Sequence, residues 1–577
     1  LEDILNDPAY PNSLNSASTS KTQVTSTYYG DDPLYATIAA IPAAVFTSPV
    51  DYARSRVAAS CIEDVNDNNP LTYNHATFYN YDVHGNVKEL TQHNPALTVI
   101  PGHEFKLTQY NYDLISGKVN KVSYQPGKAD QYYHEYEYDA ENRLTHVYTS
   151  KDGYLWDLDN KYFYYKHGPL ARVESGEAKV QGTDFAYTLQ GWIKGVNSNV
   201  LAQGKDIGKD GVASTAGNYG NTHMYFGKDA YGYSLNYFGH LTATSSVIRD
   251  YSPIDVTYTG SNDFVADYAS NLGTALNIGF GPPTPPTAPP LYNGNISHMV
   301  TSYINNNPTA IKPGSGIPVA IGEPAPNLSA FQYDQLNRIR EVTTYKDITL
   351  TSNIWQGTGN NANRERFEYD ANGNITRAGR WSNAVATGGP NLDNLFYNYY
   401  PLTNKLSWVR DNVTASPATD DIESQLTNNY VYDAIGNLIS DQQELISNIE
   451  WTVYGKIKKI TRTNNTKADI TFAYDANGNR VSKRIHFQGQ PVINDEITYY
   501  SRDGQGNVMA VYTEKRDFLG IPTLYLTENH VYGSSRTAIL NRDVDLKIVT
   551  TAPTTFDRIT GEKLFELSNH LGNVIAV

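Results

Sequence analysis

The chain has 577 residues with 45 basic and 60 acidic side chains, and a formal net charge of −15 would repel a phosphate backbone, so no nucleic-acid partner is expected. The single Cys61 excludes an intramolecular disulfide and is expected to be a buried thiol. No run approaches the roughly 18 apolar residues of a membrane helix, so no transmembrane segment is expected.

Residues 1–70 are predicted to be an irregular N-terminal lead-in, rich in Asn, Ser, Asp and Ala. They contain a match to the calcium-linker pattern of cadherins, with Asp64, Asn66, Asp67 and Asn68 as weak candidate ligands. Oxygen-rich clusters suit calcium, but the same residues are ordinary turn formers and no cadherin-like strand sandwich is evident before them. We therefore favour a turn and assign no metal site.

From residue 71 to 196, and again from 326 to 577, one motif recurs: an aromatic, a spacer, Tyr, Asp, two residues, often Gly, then Asn and an aliphatic. The clearest copies contain Tyr81, Asp82, Gly85 and Asn86; Tyr369, Asp370, Gly373 and Asn374; Tyr432, Asp433, Gly436 and Asn437; and Tyr474, Asp475, Gly478 and Asn479.

The residue types of this motif predict a β-hairpin. The two aromatics lie two residues apart and point to one face of a strand. The Asp side chain can accept a hydrogen bond from the backbone two residues on, and Asn-Gly tolerates the positive φ of a tight reversal. The aliphatic then begins the returning strand. Each copy is therefore predicted to supply one strand, one turn and the start of the next strand.

Weaker copies show which positions vary. The copies at Tyr138–Asp139 and Tyr333–Asp334 keep an Asn, at 142 and 337, but have Glu141 and Leu336 where we expect Gly, so Gly is interpreted as helpful but not compulsory. Neighbouring copies within each block lie 26 to 42 residues apart. This tolerance and irregular spacing favour a structural repeat with variable loops over a catalytic site or a strictly periodic solenoid.

Residues 197–325 are predicted to be an irregular insertion between the two repeat blocks. The insertion contains a proline-rich stretch, residues 281–290, that cannot donate to a central sheet ladder and is expected to form an extended surface loop or plug.

No residue is assigned a catalytic or cofactor-binding role. His84, His93 and His103 fall within twenty residues but lack the spacing of a metal site. The segment 503–507 has two glycines but lacks the third glycine and following helix of a phosphate loop, which favours a diverged hairpin turn. Repeated Asp residues could suggest a glycosidase, but each is assigned to its own turn. A lectin-like surface of aromatic, Asn and Asp side chains stays open.

The Tyr-Asp pair with Gly-Asn at this offset resembles the YD, or Rhs, repeat family, and segments 168–173 and 291–296 resemble its Bacteroidetes variety. This resemblance implies an all-β fold with little helix, in which a long spiralling antiparallel sheet of hairpins forms a hollow shell or barrel. In bacterial polymorphic toxins and toxin complexes of this family the shell encloses a C-terminal toxic polypeptide, whereas in teneurins a related barrel serves cell adhesion.

The C-terminal segment 568–574 resembles the sequence that opens the terminal core region of the family, and the only Asp-Pro pairs, at Asp7 and Asp32, are not placed like its self-cleavage site. We therefore expect an incomplete segment whose autoprotease and toxin lie further along.

Three functional hypotheses follow from the resemblance. The first is a non-enzymatic shell segment of a secreted or surface-exposed protein that encloses or delivers its own C-terminal cargo or toxin domain, with secretion machinery or an immunity protein as further partners. The second is an adhesin that binds glycans or a partner protein. The third is an exported client of a secretion apparatus.

Overall fold

The computed structural model describes residues 21–31, 46–50, 52–66, 72–198, 201, 207–211, 223–237, 293–304, 324–349, 354–357, 363–382, 390–413, 422–517, 519–549, 551–552, 559 and 561–577. In these residues the regular secondary structure is almost wholly β-strand, and the helical segments are two short 3₁₀ turns at Pro95–Val99 and Val492–Asn494. The predicted all-β fold with little helix is confirmed.

Eight strands form an N-terminal ladder in which each strand pairs antiparallel with the next. They are β1 (Lys21–Tyr29), β2 (Val57–Asn66), β3 (His75–Tyr81), β4 (Val87–His93), β5 (Phe105–Tyr112), β6 (Val119–Tyr124), β7 (Tyr132–Tyr138) and β8 (Leu144–Ser150).

A central ladder follows, again with antiparallel neighbours; β16 pairs with both β17 and β18. Its strands are β9 (Asp157–Tyr164), β10 (Leu170–Ser175), β11 (Gln181–Tyr187), β12 (Ile193–Val196), β13 (Tyr231–Asn236), β14 (His298–Ile304), β15 (Pro324–Tyr333), β16 (Ile339–Thr349), β17 (Ile354–Gly357), β18 (Glu365–Tyr369), β19 (Ile375–Arg380), β20 (Asp393–Tyr399) and β21 (Leu406–Asp411).

A C-terminal ladder runs antiparallel from β23 to β31. The remaining strands, in chain order, are β22 (Tyr430–Tyr432), β23 (Leu438–Asp441), β24 (Ile446–Trp451), β25 (Ile457–Arg462), β26 (Asp469–Tyr474), β27 (Arg480–His486), β28 (Glu496–Arg502), β29 (Val508–Arg516), β30 (Pro522–Tyr532), β31 (Arg536–Asp545), β32 (Lys563–Phe565), β33 (Leu567–Ser568) and β34 (Val574–Ala576).

The chain divides into two compact units, the first formed by Leu1–Asp157 and Asp433–Leu564 and the second by Leu158–Tyr432 and Phe565–Val577. The four predicted segments, 1–70, 71–196, 197–325 and 326–577, follow sequence pattern and stay predictions. Much of segment 197–325, including the proline-rich stretch, lies outside the described residues.

In the first unit the N-terminal and C-terminal ladders contact each other through side chains, and the contacts follow the order of the strands. The pairs, from one end to the other, are Gln23 with the Val453 amide, Asp64 with Lys458, Gln92 with Ser501, Tyr110 with the Gly504 amide, Tyr124 with Tyr512, His134 with the His530 carbonyl, and Thr149 with Lys563. Partners lie roughly four hundred residues apart in the chain, so this unit joins the beginning of the chain to its later part.

Small and aromatic side chains fill the cores of both units. In the first unit Ala58, Ala59, Cys61, Ala76 and Phe78 form one buried cluster, and the thiol of Cys61 is buried as expected. Burial raises the pKa of Cys61 to about 12, so the thiol stays protonated at neutral pH. In the second unit one buried cluster is rich in tyrosine, with Tyr231, Tyr233 and Tyr237.

Candidate functional site

Each clear repeat folds into a five-residue loop that is closed by its own Asp. In the copy at Asp370 the Asp amide donates to the Asn374 carbonyl at 2.9 Å, and Asp370 Oδ1 accepts from the Asn372 and Asn374 amides at 2.9 and 2.8 Å. The Asn374 side chain donates to Asp370 Oδ2 at 2.8 Å. The Asp-Asn pair therefore satisfies the loop amides that a hairpin end would otherwise leave to water.

The same loop geometry recurs along the chain. The hydrogen bond from the amide four residues on to the Asp Oδ1 measures 2.8 to 3.0 Å at Asp82, Asp139, Asp334, Asp433, Asp475 and Asp503. The segment 503–507 is thus a hairpin turn of the repeat type. The hydrogen bond from Asn374 lowers the pKa of Asp370, whereas burial raises the pKa of Asp475.

The left-handed residue of the loop differs from our alignment of the weak copies. Gly373 has φ +91° in the clear copy, and Asn142 and Asn337, not Glu141 and Leu336, take that place with φ +62° each. Arg143 and Arg338 then occupy the position of Asn374 and donate through Nε to the loop Asp at 2.7 and 2.6 Å. Asn tolerates the left-handed region better than other non-glycine residues, so Gly is replaced there by the next best residue.

The Tyr of the motif links each hairpin to the one before it. Its hydroxyl donates to a carbonyl near the start of the preceding returning strand at 2.6 to 3.0 Å, in the pairs Tyr81–Val57, Tyr112–Val87, Tyr138–Val119, Tyr333–Ile296, Tyr369–Ile339, Tyr399–Ile375, Tyr432–Leu406, Tyr474–Ile457 and Tyr532–Val508. We call this the cross-hairpin hydrogen bond. Because a phenylalanine could not make it, it accounts for the choice of tyrosine at these nine positions.

Two copies make the cross-hairpin hydrogen bond without tyrosine. Trp451 Nε1 donates to the Leu438 carbonyl at 2.8 Å, and Arg502 Nε donates to the Arg480 carbonyl at 3.0 Å. A donor at this place is therefore retained even where the side chain type changes.

The C-terminal segment 568–574 is a further copy of the loop that the sequence pattern did not reveal. Asn569 takes the place of Asp and accepts from the Leu571 and Asn573 amides at 2.9 and 3.0 Å, and Gly572 has φ +80°. The substitution of Asn for Asp hid the copy, but the Gly-Asn-Val that follows was a usable signal.

A buried polar cluster lies where the two ladders of the first unit meet. Lys106 Nζ donates to Asp130 Oδ2 at 2.5 Å, the Tyr512 hydroxyl donates to the same oxygen at 2.6 Å, and the Tyr124 and Tyr512 hydroxyls are 2.6 Å apart. All four side chains are buried, and the Lys106 ammonium lies 4.2 Å from the centre of the Tyr512 ring. We call these residues the interladder cluster.

The interladder cluster contains a desolvated ion pair. Burial lowers the pKa of Lys106, although Asp130 opposes this effect. Burial also disfavours the Asp130 carboxylate, but the Lys106 ammonium and the Tyr512 hydroxyl together outweigh burial and the pKa of Asp130 is lowered. A cavity of about 510 Å³ lies beside the cluster and is lined by His103, Asp130, Ile100, Ile521 and Leu546, among others. Such a paired, buried charge can hold the loop between β6 and β7 against β5 and β29.

The second unit has its own buried ion cluster. Arg172, fully buried, donates through Nη1 to Asp184 and through Nη2 to Asp210 at 2.7 Å each. Both carboxylates raise the pKa of Arg172 against the opposing effect of burial. Its guanidinium also lies 4.9 Å from the Phe226 ring centre. The sequence pattern did not reveal this cluster, because none of its members belongs to a repeated position.

Of the four weak calcium candidates, the structure describes the side chain of Asp64 alone. Asp67 and Asn68 lie outside the described residues, as does the Asn66 side chain, and Asp64 contacts Lys458 at 3.3 Å. Among the residues that the structure describes, no group of three or more His, Cys, Asp or Glu side chains has the geometry of a metal site. His93 accepts or donates a hydrogen bond with the Tyr73 hydroxyl at 2.7 Å and stacks on Phe105, which is a packing role.

Comparison with known proteins adds distant structural similarities. No protein-family model matches the chain, and no curated protein matches its sequence. Similar solved structures include TcdB2-TccC3 without its hypervariable C-terminal region (10% identity, TM-score 0.44, 90% of this chain and 20% of the other) and the Photorhabdus luminescens Tc holotoxin pore (10%, 0.29, 88% and 23%). TcdB2-TccC3-Cdc42 has 10% identity and a TM-score of 0.26, over 89% of this chain and 28% of the other.

The chain spans about a fifth to a quarter of the length of the first two of these structures. The similarities are too distant to assign the chain to a family.

Proposed function

We propose that this chain is a non-enzymatic segment of a shell wall that encloses or delivers a polypeptide. The functional groups that recur along the chain support a building role, because each is used by the fold. The loop Asp is occupied by its own hairpin, as at Asp370, and the motif Tyr by the neighbouring hairpin, as at Tyr369. The same hydrogen bonds recur from copy to copy, which favours a building role over a single paired acid and nucleophile.

The observation that carries the proposal is the ordered contact between the two ladders of the first unit. Strands β1 to β8 meet the region from β24 to β32 in the same order, from Gln23–Val453 at one end to Thr149–Lys563 at the other. Two ladders that pack in this order cover one face of each other and form a continuous wall within the unit. Right-handed strand twist and curling are the usual route by which a long antiparallel sheet avoids open faces and edges.

We infer the polypeptide partner, and a secreted or surface location, from the resemblance to Rhs-repeat proteins. In the described residues no helix is long and apolar enough to cross a membrane. The adhesin and the secreted-client hypotheses remain predictions.

Electron cryomicroscopy of the purified 577-residue chain tests the proposal together with a protection assay. We expect class averages with a rim of density around a weak centre. An unfolded tail carrying a protease site, fused after Val577, should be cleaved more slowly than the same tail on an unrelated carrier protein. Flat stacked sheets without enclosed volume, with unprotected tails, would refute the shell.

A further inference from the structure

The last three hairpins of the C-terminal ladder depart from the repeat in the pair of residues that faces each other across the hairpin loop. In the other hairpins an aromatic pairs, across the loop, with an aliphatic that starts the returning strand, as in Tyr81–Val87, Tyr112–Val119, Tyr138–Leu144, Tyr187–Ile193, Tyr333–Ile339, Tyr369–Ile375, Tyr399–Leu406 and Trp451–Ile457. The last three pairs are Tyr474–Arg480, Arg502–Val508 and Tyr532–Arg536.

These three arginines converge on one concave surface. A cavity of about 770 Å³ is lined by Arg480, Arg502 and Arg536, together with Lys456, Lys483 and two carboxylates, Glu496 and Glu528. We call this surface the basic groove. Arg480 and Arg536 stand where the other copies have an aliphatic side chain, whereas Arg502 stands where they have an aromatic and makes the cross-hairpin hydrogen bond. The fold of the hairpin does not require a cation at the positions of Arg480 and Arg536, and the two side chains meet beside Arg502, which indicates a ligand.

The basic groove lies on the sheet face opposite to the one that contacts the N-terminal ladder. On β28 the Ser501 hydroxyl donates to Gln92 of the N-terminal ladder, whereas Thr498, Tyr500 and Arg502 line the groove, as the alternation of strand side chains requires. The backbone groups of β27 to β30 are already paired within the sheet. Recognition in the groove therefore depends on side chains.

The five lysine and arginine side chains that line the groove outnumber its two carboxylates. The side chains of Lys456, Arg480 and Lys483 make no ion pair within the described part of the chain, whereas Glu528 is engaged by His530 at 3.1 Å and also interacts with the charge of Arg536. Arg502 uses Nε and Nη1 on the Arg480 and Gly506 carbonyls. Burial lowers the pKa of Arg502 and repulsion from Arg480 adds to this, although Asp475 opposes it. An anionic ligand would relieve this repulsion.

We propose that the basic groove binds a short, carboxylate-rich polypeptide segment. This inference rests on the proposed function, in which the wall faces a polypeptide. From Lys456 beside β25 to Arg536 on β31 the cations cross six strand spacings, or ~29 Å, the length of about nine extended residues. A long polyanion would continue beyond the groove onto a protein of formal charge −15, which would repel it. A short acidic segment meets the cations without that cost.

Fluorescence anisotropy with the full chain tests the proposal. The probe is a labelled peptide of about nine residues, alternating Glu and Gly, and a Lys-Gly peptide of equal length is its control. We expect saturable binding of the acidic peptide alone, weakened by salt because the contacts are ionic. The double variant Arg480→Ile, Arg536→Val restores the aliphatics of the other hairpins, so it should fold and should bind at least about tenfold more weakly.

The matched control is Lys459→Gln, which removes a cation from β25 outside the groove and should bind like the parent chain. Thermal unfolding of each variant verifies the fold. Absence of saturable binding, or equal binding by the double variant, would overturn the proposal. Tighter binding of a sulfated oligosaccharide of equal charge would overturn the polypeptide as ligand. If electron cryomicroscopy shows a shell but the acidic peptide does not bind, peptide binding by the basic groove is refuted and the proposed function is unaffected.

Discussion

Removing one partner of the Lys106–Asp130 pair should destabilise the first unit far more than removing both. In Asp130→Asn the Lys106 ammonium, whose side chain is 2% exposed, stays buried without its carboxylate. Breaking a buried pair in this way costs about 3–5 kcal/mol. The variant Lys106→Met should lose a similar amount, because it leaves the Asp130 carboxylate with the Tyr512 hydroxyl and removes the cation over the Tyr512 ring.

The double variant Lys106→Met, Asp130→Leu replaces the pair by apolar side chains, while the Tyr124 and Tyr512 hydroxyls keep their mutual hydrogen bond. It should therefore be destabilised by only about 1 kcal/mol, since apolar replacement of a buried ion pair is often close to neutral. A coupling of several kcal/mol between the two positions is the expected result of the double-mutant cycle.

The assay is urea denaturation in which unfolding is monitored by the hydrogen exchange of β5, β6 and β29. These strands belong to the unit that contains the pair, so their exchange reports its unfolding. The matched control is Glu444→Gln, which breaks the exposed pair with Lys467, where both side chains are about half exposed, and should cost under about 1 kcal/mol. Single variants that lose less than about 1 kcal/mol, or a double variant whose loss equals the sum of the two, would refute the reasoning.

Three further predictions concern single side chains. Tyr81→Phe should lower the free energy of unfolding, measured with denaturant, by about 1 kcal/mol because it removes the donor to the Val57 carbonyl. The control Tyr79→Phe lies on the same strand and its hydroxyl has no hydrogen bond among the described residues, so it should change stability little. Equal losses in the two variants would contradict the cross-hairpin role. Asn142→Val should cost about 1–2 kcal/mol because of its φ of +62°, and Asn142→Gly should be tolerated; a stable Val variant would count against the left-handed assignment. Burial lowers the pKa of His134 from 6.5 to about 4, so between these pH values the unfolded chain binds a proton that the folded chain does not, and stability falls as pH drops from about 6.5 to 4. His134→Gln should reduce the slope of stability against pH in this range by up to about 1.4 kcal/mol per pH unit. If melting curves recorded at several pH values show the same loss of stability in acid for the variant and the parent chain, His134 makes no such contribution.

Sequence reasoning predicted the hairpin unit because its contacts are local. The bonds that close the loop at Asp370 join residues two to four positions apart, and residue type decides them directly. The same reasoning placed Glu141 and Leu336 at the left-handed position, because Asn was aligned with Asn. The backbone instead places Asn142 and Asn337 there.

The sequence by itself determined the strands, the loops and the predominance of tyrosine. Only the tertiary structure decided what the repeats build together. Tyr512 meets Asp130 and Tyr124 across more than 380 residues, and Arg480 and Arg536 converge in the basic groove. The physical reason is that a hairpin loop depends on short-range hydrogen bonds, whereas the meeting of distant ladders depends on sheet twist and on loops of variable length, which no single repeat encodes.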